Sequence, residues 1–285
     1  MSTIICLEKM KVFCLYLVYG DVHIDTGYEE LCNLNQRLFG NTGNFIIINN
    51  ALDNDEEKVI DANTVLIAGD NNNREFSGWD KGFQYLSNEL HPSQKDVIVL
   101  ANDTFHRNYG NKYLQMFRRS NLQKAIELDG LAGYYDSYPE QINVFGLSLK
   151  FWLRTSILIG SYKSFLKLLP LSLPFSTDQI FSNDPNEFFK ADVDLSQRYK
   201  CYLKGWLTNN YDGCGRFKES WHSQQRLNVE NFTNLKDKAR CIMSEHYLSA
   251  RAQKMGMYFY IINRYSILKR IKGVVINLIK KLLKN

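Results

Sequence analysis

Residues 11–19 read KVFCLYLVY, and every residue after Lys11 is aliphatic, aromatic or Cys. The run is too short to span a bilayer, which takes about 20 apolar residues, and no small-residue cleavage site follows it. It reads as a buried first strand. Three further runs of the same kind follow at 44–50 (NFIIINN), 64–68 (TVLIA) and 96–101 (DVIVLA). Between the first two, Leu31, Leu34 and Leu38 recur at helical spacing, and between the last two Trp79, Phe83, Leu86 and Leu90 share one helical face. Strands alternating with helices are the signature of βαβ units, so the sequence predicts an α/β fold with a mostly parallel sheet flanked by helices.

Each run gives way at once to polar, loop-forming residues. These are Gly20-Asp21, Asn49-Asn50 with the acidic 53–57, 69–73, and Asn102-Asp103-Thr104. In open α/β sheets ligands bind beyond the carboxyl ends of strands, which nominates these loops.

The 285 residues suffice for one large domain with an appendage. With 17 Tyr and 17 Phe the chain has the apolar content of an ordered protein. Strand-like stretches continue through 131–173, Pro170, Pro174 and Pro185 mark a loop on the acceptor side, and 197–207 and 235–255 read as helices. Six cysteines lie scattered with no C-x-x-C pair and no metal-ligand spacing with the five histidines, as expected of thiols in a reducing compartment.

The net charge of +5 is a property of the C-terminal end: no acidic residue follows Glu245, whereas nine basic ones do. From Ile267 the residues Leu268, Ile271, Val274, Val275, Leu278, Ile279 and Leu282 keep a 3.6-residue stripe among lysines and arginines. Such a helix lies in a membrane interface rather than crossing it, or packs on the domain or a partner. Its density of Lys and Arg favours an anionic lipid surface, at about 1 kcal/mol per basic residue. Nucleic acid is not expected as a partner, because the positive charge accompanies an apolar stripe and not interleaved aromatics. The expected layout is a domain over 1–257, in two parts divided at about 130. A basic amphipathic helix over 258–285 completes the chain, and no transmembrane segment is expected.

Three stretches carry candidate chemistry. Asn102-Asp103-Thr104 ends a strand, so Asp103 falls at the sheet edge, where a carboxylate can hold a hard divalent cation against phosphate oxygens; an Asx turn ending the strand explains the tripeptide equally well. Residues 71–82 (NNNREFSGWDKG) open a helix and carry Arg74, Glu75 and Asp80. Helix N-termini and loop amides attract phosphates, and carboxylates suit ribose or base; a solvated βα loop is the plainer account. Residues 245–257 (EHYLSARAQKMGM) place Glu245 at the start of a helical pattern, either as a general base for a hydroxyl or as an ordinary dipole-complementing acid. His222, His246, Trp206, Trp221 and Tyr211 fit core or solvated positions as well as substrate contacts.

Taken in order, these stretches resemble the family 2-type glycosyltransferases of the GT-A fold, closest to the branch serving rhamnan, capsular and O-antigen polysaccharides. Residues 17–21 (LVYGD) and 47–51 (IINNA) stand where the family's first two strand-end loops stand. Residues 72–82 (NNREFSGWDKG) are similar to an N-x-G-R-D-F-G-A-W-x-x-G-like stretch, 102–104 to a strand-N-D-S/T turn, and 244–251 with Gly256 to an E-D-x-D-L-x-x-R-x-x-x-x-G motif.

The resemblance implies an inverting transfer of sugar from a nucleotide-sugar donor to a lipid-linked or oligosaccharide acceptor in bacterial surface polysaccharide synthesis. It implies a nucleotide-sugar-binding part to about 130, an acceptor-side part from there to 257, and an enzyme peripheral on the cytoplasmic face of the cell membrane, held there through 264–285. It puts Glu245 at the catalytic carboxylate, and Tyr19, Asn50, Arg74, Glu75, Asp80, Asn102 and Asp103 around the donor. No D-x-D stands at this strand-end turn, since Asn102 and Thr104 flank a lone Asp103. Asp103 therefore holds Mg²⁺ or Mn²⁺, or hydrogen-bonds the donor sugar. A catalytically degenerate nucleotide-binding scaffold in a polysaccharide assembly complex is the alternative.

Overall fold

The apolar run at 11–19 forms strand β1 (Val12–Val18), every residue of which is buried. The computed structural model describes residues 7–53, 56–106, 111–210 and 224–263. After β1 come α1 (Ile24–Phe39), β2 (Asn44–Asn49), β3 (Glu57–Asp61), β4 (Thr64–Ala68) and α2 (Glu75–Tyr85), the last running into a π-helical turn over Leu86–Leu90. The chain continues through β5 (Val97–Asn102), α3 (Asn111–Leu114), α4 (Arg119–Glu127), β6 (Leu131–Val144) and β7 (Leu147–Ser161). It closes with α5 (Tyr162–Leu166), α6 (Thr177–Ile180), α7 (Gln197–Thr208), α8 (Phe232–Lys254) and β8 (Phe259–Ile261).

The strands make one sheet in the order β3-β4-β2-β1-β5-β7-β6-β8. Pairing is parallel at β4–β2, β2–β1, β1–β5 and β6–β8, so parallel junctions predominate, and the expected α/β class is observed. Antiparallel pairs join β3 to β4, β5 to β7 and β7 to β6. The exposed strand β3 falls in a stretch expected to be loop, where Lys58 and the acids around it hide a β-forming Val59-Ile60.

Helices cover both faces, which is why β1 reads as a continuous apolar run. Val12, Cys14, Tyr16 and Val18 face a core built with Leu31, Leu34 and Leu38 of α1 and Leu122, Ala125 and Ile126 of α4. Phe13, Leu15 and Leu17 face the opposite core, where Phe76, Trp79 and Phe83 of α2 meet Phe165 of α5 and Leu248 and Ala252 of α8. A third core lies beyond the sheet between the outer β6–β7 hairpin, α7, α8 and the 173–195 segment.

Local signals fix several ends. Gly40 takes the left-handed conformation (φ 78°) and its N–H caps α1 on the Gln36 carbonyl, while Ser196 caps the start of α7 and Ser176 builds a capping box on α6.

The boundary expected at 257 is displaced. Residues 258–263 do not begin a helix: Phe259, Tyr260 and Ile261 pair in parallel with Leu131, Ala132 and Gly133, and the Asn263 amide bonds the Tyr135 backbone at 2.9 and 3.0 Å. Aromatic and β-branched residues beside an open edge add a strand in preference to a helical turn. The amphipathic helix expected over 264–285 lies outside the described residues, as do Tyr211, Trp221 and His222. Among the described residues no helix is long and apolar enough to cross a membrane.

Candidate functional site

A cleft of about 440 Å³ opens at the carboxyl ends of the parallel strands. Leu17 and Tyr19 reach it from β1, Asn50 from β2, residues 71–75 from the β4–α2 turn and residues 102–104 from β5, with Asp237, Arg240 and Cys241 of α8 across from them. Of the expected donor residues, Tyr19, Asn50, Arg74, Glu75, Asn102 and Asp103 all line this one cleft.

The rim is built by asparagine side chains doing backbone work. Asn49 accepts from the N–H groups of Gly20 and Ala51 (both 3.0 Å) and donates to Asp21 at 3.3 Å, tying the β1 loop to the β2 loop. Asn50 donates to the Arg74 carbonyl at 2.9 Å and lodges between Gly69 and Gly78, where an added Cβ would come within 1.9 and 2.6 Å of its Oδ1. Asn102 Oδ1 accepts from the Thr104 N–H at 3.1 Å and from its hydroxyl. The Asx-turn account of Asn102 therefore holds, and that turn presents Asp103 to the cleft.

Arg74 sits at φ 51° and ψ −130° and the Phe76 N–H closes back on the Asn73 carbonyl at 3.2 Å. That is the geometry of a II′ turn with Arg74 at the position where Gly is favoured. Its guanidinium crosses to α8, where Nη2 donates to Asn234 Oδ1 at 3.0 Å. Buried polar atoms without a partner gather at this cleft: Asn50 Oδ1, Asn73 Oδ1, Arg74 Nε and Arg240 Nε. Such atoms are uncommon in folded proteins, and their clustering marks a place built to bind something polar.

Glu75 opens α2 and faces the cleft. Burial raises its carboxyl above the ordinary value, the Cys241 thiol, its own N–H and Arg74 pull it down, and the Asp103 charge adds to the rise. Burial, then the Glu75 charge, likewise pushes the Cys241 thiol up.

Glu245, expected as the base, is not among the residues lining the cleft and stands one helical turn beyond Cys241, which is. Its Oε2 accepts from the N–H (2.6 Å) and hydroxyl (2.8 Å) of Thr155 on β7. Burial nonetheless raises its carboxyl, against Thr155 and the Arg154 charge and with help from Glu75. Glu75 thus feels the Asp103 charge and in turn acts on Glu245.

Asp80 is placed elsewhere. Its two oxygens accept from the backbone N–H groups of Leu171 (2.6 Å) and Ser172 (3.0 Å), while Arg251 holds the carbonyls of Leu168 and Pro170 in the same segment, both at 2.7 Å. Five residues along a helix turn a side chain through well over a full circle, so Glu75 and Asp80 leave α2 in different directions. His246 is fully buried, with Nδ1 at 2.7 Å from the Tyr199 hydroxyl and its ring edge-on to Trp152, and burial lowers its pKa to about 3. It is a neutral core histidine.

Sequence reasoning missed Arg240 and Cys241. Arg240 donates to the Phe175 carbonyl at 2.8 Å and to Thr177 Oγ1 at 3.4 Å. Their i, i+1 position on α8 with Asp237 one turn earlier could have been read as a polar helix face, had its partner surface been known. For a metal, Asp103 and Glu75 are two carboxylates within electrostatic reach, and among the described residues no group of three His, Cys, Asp or Glu side chains is placed to hold an ion.

No family model and no curated protein sequence matches the chain. Among solved structures it is similar to "Crystal structure of 4-diphosphocytidyl-2C-methyl-D-erythritol synthase", with a TM-score of 0.34 and 10% identity over 68% of this chain and 96% of that chain.

Proposed function

We propose that this protein is a glycosyltransferase that binds a nucleotide-sugar donor in the strand-end cleft and transfers the sugar, with inversion, to a lipid-linked or oligosaccharide acceptor of a surface polysaccharide. One observation supports the reading: five stretches far apart in sequence, at 17–19, 50, 71–75, 102–104 and 237–241, line a single polar cleft at the carboxyl edge of a parallel sheet. Asn50, Arg74 and Glu75 position the nucleotide. Asp103 accepts hydrogen bonds from sugar hydroxyls, and Glu245, its proton affinity raised by burial, takes the acceptor proton as the hydroxyl attacks the anomeric carbon.

Among the described residues Asp103 and Glu75 do not by themselves assemble a site for Mg²⁺ or Mn²⁺. Asp80 supports the site by fixing the Leu171–Ser172 backbone beside α2. Residues 264–285 would hold the enzyme on the cytoplasmic face of an anionic membrane, next to a lipid-linked acceptor.

The test is a thermal-shift panel of nucleotide sugars followed by transfer and hydrolysis assays on whichever one binds. A ligand at 100 times its Kd stabilises by about 2.7 kcal/mol, a shift of several degrees. Binding with turnover supports the enzyme, binding without turnover on any lipid-linked acceptor supports a scaffold, and no binding at all sinks both.

A further inference from the structure

We propose that Arg74, Lys238 and Arg240 form a cationic wall that takes the donor's diphosphate directly, so that donor binding needs no divalent cation; this rests on the glycosyltransferase reading.

The geometry starts with Arg74, whose guanidinium spans from the β4–α2 turn to Asn234 on α8. Lys238 lies one helical turn beyond Asn234 on the same helix face, next to the cleft-lining Asp237 and within electrostatic reach of Arg74. Arg240 lines the cleft from the same helix, its guanidinium pinned by Phe175 and Thr177 on the far side. In both arginines the Nε–H is buried without a partner.

Cations collected on one wall oppose each other. Burial lowers the proton affinity of Lys238, with the Arg74 charge adding to the fall, and burial does the same to Arg240 against the pull of Asp237. Asp237 and Glu75 relieve part of that crowding, and a bound anion relieves more. A diphosphate offers that relief, because two or more oxygens can meet the planar donor fork of each guanidinium.

Of the three cleft carboxylates, Asp237 shares the α8 side with the cations, while Glu75 and Asp103 come from the strand-end side and make that side the one that would repel phosphate. Asp103 stands there, and Asn102 Oδ1 beside it is committed to Thr104. A carboxylate suits sugar hydroxyls better than phosphate oxygens. The bound donor would therefore lie with its diphosphate toward α8 and its sugar toward the β5 turn.

The experiment is calorimetric titration of the full-length protein with UDP, GDP, CDP and dTDP, each beside its own nucleoside, once in EDTA and once in Mn²⁺. The expected result is that one diphosphate binds in EDTA at least ~10-fold tighter than its nucleoside. Arg74→Gly and Lys238→Gln should erase most of that advantage, read as the ratio of diphosphate to nucleoside affinity within each variant. Arg240→Gln should do the same; if it fails to fold because the Phe175 tie is lost, the other two variants decide. Diphosphate binding that appears only with Mn²⁺, or that survives all three substitutions, overturns the wall while leaving the glycosyltransferase reading standing. Absence of binding in both buffers removes that reading and the wall together.

Discussion

The two sides of the cleft are held in different ways. On the rim, Asn49, Asn50 and Asn102 bond to backbone within a few residues or to the neighbouring strand-end loop, so the sheet's edge is shaped largely by its own loops. The α8 side depends on distant partners: Glu245 on Thr155, Arg240 on the 175–177 segment, and His246 on Tyr199 of α7. A wall positioned by long-range contacts is the side whose disturbance should reach function first.

The largest expected effect lies there. Glu245→Gln removes the proton acceptor but keeps a group able to bond Thr155. Transfer should fall by about 10²–10⁴-fold while donor affinity stays within about twofold. Single-turnover rates beside calorimetric affinities would check this, and full activity would remove Glu245 from the mechanism.

Acid should separate the two sides next. His246 is held neutral in the fold with its pKa lowered to about 3, whereas in the unfolded chain it titrates near its ordinary 6.5. Between those values the unfolded state binds the extra proton, so the stability His246 contributes is complete above about pH 6.5 and is lost as pH falls toward 3. The loss approaches about 1.4 kcal/mol per pH unit. Glu75 and Glu245 run the other way, since their raised carboxyls favour the protonated fold and give up stability as pH rises through the carboxylate range. Hydrogen exchange at pH 5 against pH 7 should show α8 and α7 losing protection before β1, β2 and β5; uniform loss would mean the two sides unfold as one.

Asp80 probes the tie between them, for α2 belongs to the rim but this carboxylate reaches the segment that Arg251 of α8 also holds. Asp80→Ala orphans two backbone N–H groups and should destabilise by about 2 kcal/mol, read as a lower denaturant midpoint at unchanged slope. A variant of wild-type stability with weakened donor binding would return Asp80 to the cleft.

The difference between the two sides also explains what could be read in advance. The four strands meeting the cleft, helix α1 and the loops beyond them were legible because continuous apolar runs ending in Asn, Asp and Gly have few other interpretations. Glu75 and Asp80 stand in one polar stretch; the helix turns them apart, and only tertiary packing shows which of the two meets the cleft. Arg240 and Cys241 carried no local signal, because a helix face becomes a cleft wall only when an element more than a hundred residues away is set against it. Strand β8 was hidden for the same reason, its pairing edge being supplied by β6.

The smallest effect is at the joint between the sides, where Arg74 sits in a backbone conformation that suits Gly. Such strain costs on the order of 1–3 kcal/mol. Arg74→Gly relieves it but adds roughly 0.5–1 kcal/mol of unfolded-chain entropy, and it gives up the exposed bond to Asn234, so the net gain should be under about 1 kcal/mol. Arg74→Ala loses the same side chain and keeps the strain. The two variants together isolate the backbone contribution: Gly should exceed Ala by about 1 kcal/mol in chemical denaturation while both bind diphosphate equally poorly. Equal stabilities would mean that the turn carries no strain and that Arg is held at this position for its reach to α8 alone.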